Sequence, residues 1–172
     1  VKVFEGFVEL GDTFPLTVLA RNGEESPVTL DSLPTYRVYG PSGFITGQSG
    51  SLSLKDSKTV TGADNTTPIA ITCNLHGYST GDRITISGVT GNENANGTFT
   101  ITSTGDNSFT LDGSSGSGTY AGGGTAHITG LYEVDIACTS GNGYEVGETY
   151  SVLVNGETDG DSWADLYSFG VT

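Results

Sequence analysis

Short runs in which apolar and polar residues alternate, each closed by glycine, asparagine or aspartate, follow one another along the whole chain. Alternation of this kind predicts strands with one buried face, and no segment carries helical apolar spacing over a useful length. Val1 to Leu10, with Val3, Phe4, Phe7, Val8 and Leu10, reads as an imperfectly alternating or bulged strand. Phe14, Leu16, Val18 and Ala20 alternate with Pro15, Thr17, Leu19 and Arg21 as far as Asn22-Gly23. That pair suits the positive φ angles of a tight hairpin turn, with Pro27 to Leu30 as the expected partner strand. Thr35 to Tyr39 sets Tyr36 and Val38 against Arg37 and Tyr39. Pro41-Ser42-Gly43 then turns the chain, and Ser51 to Lys58 gives a weaker, polar strand.

The pattern resumes on the far side of a distinct middle region. Tyr132, Val134, Ile136 and Cys138 alternate with Glu133, Asp135 and Ala137, a strand with one wet face. Thr149 to Val154 follows, then a turn region at Asn155-Gly156 and Asp159-Gly160. Trp163 to Val171 comes last, with Tyr167, Phe169 and Val171 on one face. Neither flank alone has enough strands for two sheets. Together they supply about seven, the number an immunoglobulin-like sandwich needs. The expected organisation is therefore all-β: a discontinuous sandwich from residues 1–60 and 130–172, interrupted by a small inserted β-barrel at 61–129. Five strands are expected in the insert: Ile69 to Leu75, Arg83 to Ser87, Gly97 to Thr102, Ser108 to Leu111 and Gly124 to Ile128. The Gly- and Ser-rich stretch from Gly113 to Gly124 reads as a long loop carrying Tyr120, because strand periodicity resumes beyond it.

Composition sharpens the picture. Among 172 residues are 27 glycines and 34% hydrophobic positions, a turn-rich folded chain with too many aromatics and too much alternation for disorder. The net charge is −14 and uneven. Val1 to Val60 carries five bases and seven acids, Thr61 to Thr129 one base and five acids, and Gly130 to Thr172 eight acids with no base. Such a surface repels phosphate backbones and anionic membranes, so no nucleic-acid partner is expected. No apolar run approaches a membrane span, so no membrane insertion is expected either. No signal-peptide pattern opens the chain, and Val1 could follow a removed initiator methionine. Cys73 and Cys138 both lie in alternating apolar runs. Two buried reduced thiols suit synthesis in a reducing cytoplasm better than a bridge does.

Reactive chemistry is sparse. There are two histidines; His76 precedes a glycine, where a turn-capping hydrogen bond is the simpler role, and His127 sits in an alternating strand. No nucleophile elbow, phosphate loop or Cys-x-x-Cys pair appears, so no catalytic residue and no resident cofactor are assigned. Ion binding is best served by Asp159, Asp161 and Asp165, whose carboxylates around a glycine turn could meet Ca²⁺, although the spacing of a full calcium loop and its bidentate Glu are lacking and an ordinary acidic turn is the simpler explanation. Trp163 could be an aromatic platform for a partner or a sugar, or a core residue. Tyr78 and Tyr120, like Tyr39 and Tyr144, fall at strand ends or loops, where exposure would make them contacts for a partner or glycan.

The middle region resembles a repeat of phage and prophage proteins that is similar to the first-catalytic-cysteine half-domain of ubiquitin-activating enzymes. The resemblance rests on Ile69-Ala70-Ile71-Thr72, His76-Gly77-Tyr78 and Gly81-Asp82-Arg83-Ile84-Thr85-Ile86-Ser87-Gly88. Asn96-Gly97-Thr98-Phe99, Phe109-Thr110-Leu111 and Tyr120-Ala121-Gly122-Gly123-Gly124-Thr125 extend it. It implies a fold and carries no catalytic cysteine, since Cys73 lies in a strand and the chain has no adenylation domain. The flanks look like immunoglobulin-like domains of phage structural proteins, including those of baseplate upper proteins. Gly11-Asp12-Thr13, Pro34-Thr35-Tyr36-Arg37-Val38-Tyr39-Gly40-Pro41-Ser42-Gly43, Thr129-Gly130-Leu131-Tyr132 and Gly143-Tyr144-Glu145-Val146-Gly147-Glu148-Thr149-Tyr150-Ser151-Val152-Leu153-Val154 carry this second likeness.

These resemblances imply a non-enzymatic bacteriophage virion protein made in the bacterial host cytoplasm. It would be a capsid decoration protein or a neck or tail appendage component, present in multiple copies and bound to other virion proteins. The sandwich is expected to dock, since both chain ends fall in it, while the insert projects. The alternative is a receptor- or glycan-binding adhesin module on a tail fibre or baseplate, its insert loops meeting a bacterial surface glycan or receptor. A polysaccharide-degrading enzyme would need paired acids in a cleft, and the acids here fall on polar strand faces and turns.

Overall fold

The computed structural model describes residues 5–22, 24 and 26–172, without the side chain of Glu5. Val3 and Phe4 of the first expected strand, and Gly23 of the Asn22-Gly23 turn, lie outside the described residues. Among the described residues the chain is all-β, its only helical pieces being two short 3₁₀ turns. It divides into two compact units, Val1–Ser53 with Tyr132–Thr172, and Leu54–Leu131.

Unit 1 holds strands β1 (Glu5–Val8), β2 (Thr13–Leu19), β3 (Thr35–Gly40) and β4 (Gly43–Ser51). It is completed by β5 (Ser53–Leu54), β13 (Leu131–Ala137), β14 (Thr149–Thr158) and β15 (Asp161–Val171). One sheet has the order β1-β15-β14-β3-β4 and the other β2-β13-β5. The alternation that predicts β2 is met in the structure: Phe14, Leu16 and Val18 are buried and the residues between them are not. Phe14 stacks on Phe169 of β15 with ring centroids 4.2 Å apart, so the two sheets pack face to face. Tyr150 and Tyr144 extend this aromatic core. Each such ring pair contributes about 0.5–1.5 kcal/mol beyond the area it buries. The buried Tyr132 hydroxyl is satisfied by the Leu30 N–H, 3.1 Å away.

The β14–β15 hairpin is long, and Asp159-Gly160 closes it with φ of 51° and 80°, the left-handed pair that a two-residue turn requires. Asn155-Gly156, expected in the turn region, lies inside β14, because the hairpin turn is made by Asp159-Gly160 alone, and the expected strand from Ser51 to Lys58 is broken after the short β5. Two further departures from the sequence expectations occur in this unit. Gly43–Ser51 is a full strand, paired antiparallel to β3 around a bulge between Arg37 and Tyr39. It has no apolar alternation because backbone pairing holds it while most of its side chains face water. Pro27 to Leu30 forms no strand, only an isolated bridge from Pro27 to Arg21. The Asn22 side chain accepts the N–H groups of Glu24 and Ser26, each at 3.0 Å, and so organises a wider loop.

Unit 2 contains β6 (Lys58–Thr59), β7 (Gly62–Ala63), β8 (Ile69–Thr72), β9 (Arg83–Ser87), β10 (Gly97–Gly105), β11 (Ser108–Leu111) and β12 (Thr125–Ile128). They form one half-barrel sheet of order β6-β12-β9-β10-β11-β8-β7. Its core is Ile69, Ile71, Cys73, Ile84, Ile86, Ile101, Phe109 and Leu111, with smaller residues between them. The unit reaches further on each side than residues 61–129. Lys58 and Thr59 pair with β12, and the Lys55 N–H donates to the Leu131 carbonyl.

The long loop from Gly113 to Gly124 is held by side chains. Asn92 is fully buried; its amide N–H₂ donates to the carbonyls of Ala63 and Asp64, and its Oδ1 accepts from the Ser117 N–H at 2.9 Å. Gly91, at φ 85°, lies so close to this loop that a Cβ there would run into the Thr119 carbonyl oxygen.

Candidate functional site

The residues singled out in unit 2 are used for its own structure. Tyr78 is buried, not exposed: its hydroxyl lies 2.9 Å from the Asp56 carbonyl and 2.8 Å from that of Ala126, sharing its proton between them. Burial, with lesser repulsion from Cys73 and Asp56, pushes its pKa well above the ordinary phenol value. The Tyr78 N–H donates to His76 Nδ1 at 2.9 Å, and His76 Nε2–H donates to the Gly105 and Ser108 carbonyls. His76 thus caps the turn, as its place before Gly77 suggested. Tyr120 is half-buried, and its hydroxyl donates toward the carbonyls of Val60 and Gly123. Neither tyrosine leaves its polar end for a partner. Cys73 is buried and its thiol is pushed up by that burial, partly opposed by Lys58, which makes a poor nucleophile.

In unit 1 the three aspartates do not form one site. Asp159 and Asp161 are exposed at the hairpin end, whereas Asp165 lies four residues further along β15, about 13 Å from Asp161 at strand spacing. Among the described residues no three His, Cys, Asp or Glu side chains converge on a metal position. The turn instead uses a fourth carboxylate that sequence reasoning passed over. Asp31 accepts the Asp159 and Gly160 N–H groups at 3.3 and 3.0 Å, and its own N–H donates to the Glu157 carbonyl. Tyr144, another residue expected at the surface, is fully buried and donates to Gln48 Oε1 at 3.1 Å.

Two features of unit 1 remain open to a partner. The first is the solvent face of the five-stranded sheet. Its register places Ser168, Ser151, Tyr39 and Phe44 in one row, with Phe7, Gly170 and Thr149 in the next. Leu166, Leu153, Arg37 and Ser49 make a third row, and Ala164, Asn155, Thr35 and Ser51 a fourth. Phe7 is 78% exposed and Phe44 is 47% exposed, the latter packed edge-on against Tyr39. Among the described side chains of these rows the only charge is Arg37; Glu157 stands beyond the last row. A depression of about 340 Å³ beside Phe44 and Ile45 carries Glu145 and Glu148, so acids rim the face at that end. Nothing in the alternation of β15 or β14 marks this face as special. The signal is the absence of charge at every second position from Ser162 to Gly170, where Ser, Ala, Leu, Ser and Gly follow one another.

The second feature is a cleft of about 310 Å³ at the Asp159-Gly160 end, lined by Ser32, Leu33, Thr35, Asn155, Gly156, Glu157, Ser162 and Trp163. Trp163 is therefore a half-exposed wall residue and not part of the core.

Residues 58–129 match the family model of the ubiquitin-activating enzyme E1 FCCH domain, a span that coincides closely with unit 2. No curated protein matches the chain. Among solved structures, a family 123 glycoside hydrolase from Clostridium perfringens, described for glycolipid glycan hydrolysis, is 12% identical. The alignment covers 99% of this chain but 22% of that one, at a TM-score of 0.26, a likeness too loose to bear on fold or activity.

Proposed function

We propose that this protein is a non-enzymatic structural component of a bacteriophage particle, a capsid decoration protein or a neck or tail appendage component. It docks through the open face of the five-stranded sheet in unit 1 and carries unit 2 as its displayed part. In this reading unit 1 is an immunoglobulin-like sandwich and unit 2 a small barrel set into it, as the resemblance of both to phage structural modules implies. One observation carries the docking assignment. In a chain of net charge −14, a broad exposed sheet face bears Phe7, Tyr39, Phe44, Leu153 and Leu166, with Arg37 the single charge among the described side chains of its rows. Depletion of charge with aromatic enrichment is the compositional signature of an interface centre. The acids at its margin suit a partner whose own apolar patch is rimmed by bases, which would steer approach and fix register. Many copies on a symmetric particle would add avidity to each modest contact.

Co-sedimentation of the protein with purified virions tests this. Phe44→Glu together with Phe7→Glu is expected to weaken binding at least about thirtyfold, the effect of burying an unpaired charge at an interface. Leu75→Glu, at an exposed position of unit 2, is expected to leave it unchanged. The reverse pattern would assign docking to unit 2.

A further inference from the structure

We propose that the free edge of β4 in unit 1 is a self-pairing surface, where a second copy of this chain adds its own β4 antiparallel across a twofold axis. The inference stands on the edge alone, and its failure would leave the docking face untouched. β4 ends the five-stranded sheet and pairs with β3 on one side only. The register fixes which backbone groups point outward. One residue beyond β4, the Leu52 N–H donates to the Pro34 carbonyl opposite it at 2.8 Å. Bonded and non-bonded pairs alternate along an antiparallel ladder. Gly50 therefore turns its N–H and carbonyl toward Tyr36, while Ser49 and Ser51 turn theirs away from β3. Both serines are exposed, and their outward groups have no backbone partner among the described residues.

An exposed row of unpaired backbone groups is a template for another strand, and sheets guard their end strands against it. The other end strands of unit 1 are guarded: β1 carries Glu5, β2 contains Pro15, and β5 is only two residues long. β4 has a bulge between Phe44 and Ser49, but Ser49 to Ser51 pairs regularly. No charged residue occurs from Val38 to Leu54, in a chain of net charge −14. This edge therefore meets a copy of itself without like charges in opposition, and offers no carboxylate to a basic strand from another protein. Centred on Gly50, the pairing sets Ser49 of each copy opposite Ser51 of the other, so that each pair exchanges both backbone bonds. Gly50 meets Gly50 at the axis, where neither brings a side chain. The Tyr36 ring lies over its own Gly50, so close that a Cβ there would stand 3.2 Å from it. Two such rings flank the axis and add apolar contact. On the open face, the row ending at Arg37 and Ser49 of one copy runs on into Ser51 and Thr35 of the second. The face becomes continuous through both copies.

Sedimentation velocity of the full chain between about 0.02 and 2 mM is expected to show a monomer passing to a dimer and no further, with a dissociation constant on the order of 0.1 to 1 mM for so short a contact. Amide hydrogen exchange read by NMR needs no variant. The Gly50 and Leu52 N–H groups are expected to be protected at every concentration. Those of Ser49 and Ser51 are expected to slow about three- to sevenfold only as the dimer forms. Ser49→Pro removes an outward N–H without touching the ladder to β3, and is expected to weaken dimerisation at least about tenfold with little change in melting temperature. Ser51→Lys serves if that variant fails to fold, because like charges then flank the axis. Phe44→Glu, on the docking face, is expected to leave the dimer in place. A monomer throughout overturns the pairing and leaves the edge to a strand of a different protein. A dimer with unchanged Ser49 and Ser51 exchange overturns the edge assignment. So does one that survives the folded edge variant, and its loss in Phe44→Glu alone would place the contact on the docking face.

Discussion

Unit 2 and unit 1 are both built from strands, yet they treat their polar and apolar groups in opposite ways. In unit 2 the loop side chains turn inward: Asn92, Asn96, Ser114, His76, Tyr78 and Tyr120 all hydrogen-bond to backbone groups of neighbouring segments. Unit 1 builds its core from stacked aromatics and a long hairpin, and leaves Phe7, Phe44 and Leu33 in water. Among the described residues the first leaves one large apolar side chain, Leu75, in water, whereas the second retains a wider unspent apolar surface. A module that folds by satisfying itself is suited to display, and one with an unsatisfied face is suited to attachment.

The sharpest way to break this comparison is to hollow out each core. Phe169→Ala in unit 1 and Phe109→Ala in unit 2 remove fully buried rings and should each cost about 3–5 kcal/mol. Hydrogen exchange is expected to show the loss of protection confined to the unit that carries the change. Protection lost equally in both units would mean that they are one cooperative body. Next in size is Asn92→Ala, which removes the amide's bonds to the Ala63 and Asp64 carbonyls and leaves the Ser117 N–H without its acceptor. It should cost about 1–3 kcal/mol, read by chemical denaturation, whereas truncating an exposed unit 1 polar residue such as Ser49 should not.

A pH-dependent difference is expected from His127 in unit 2. It is buried, neither ring nitrogen has a partner among the described residues, and desolvation lowers its pKa below the ordinary value. The unfolded chain therefore takes up the proton first. Stability from this residue is complete above about pH 6.5 and is lost as pH falls from there toward the depressed folded value. Thermal melts across that range should show an acid-side decline that His127→Leu flattens. The smallest effect belongs to the open face: Phe44→Ser, which gives up the edge contact with Tyr39, should cost about 1 kcal/mol and leave the chain folded, so that any loss of particle binding is a surface effect.

Five of the seven strands of unit 2 were legible because apolar residues at alternate places and a nearby glycine or asparagine turn mark them, whereas Lys58–Thr59 and Gly62–Ala63 are too short to carry a period. Arg83–Ser87 and Ser108–Leu111 have the same ends in the structure as in the sequence reading. Gly43–Ser51 was illegible for the converse reason. A strand held by ladder hydrogen bonds, with glycine at 43, 47 and 50 and side chains in water, leaves no apolar period to read. The tyrosines misled because a loop position says nothing about direction. Tyr78 and Tyr144 point inward, where carbonyls or Gln48 receive their hydroxyls. The candidate sites depend on register between strands distant in the chain. Local pattern could name Trp163 but not Gly156, paired with it across the hairpin, nor the Asp31 carboxylate at the hairpin turn.

The parallel pairing of β1 with β15 has a mechanical consequence. Glu5 lies beside Ser168 and Val8 beside Val171, with both strands running in the same direction. Tension entering on the N-terminal side of Glu5 and leaving through Val171 therefore slides one strand along the other, loading all their hydrogen bonds at once. A module stretched this way resists rupture far better than one whose strands peel apart bond by bond. Single-molecule pulling should accordingly find unit 1 stiff along that axis.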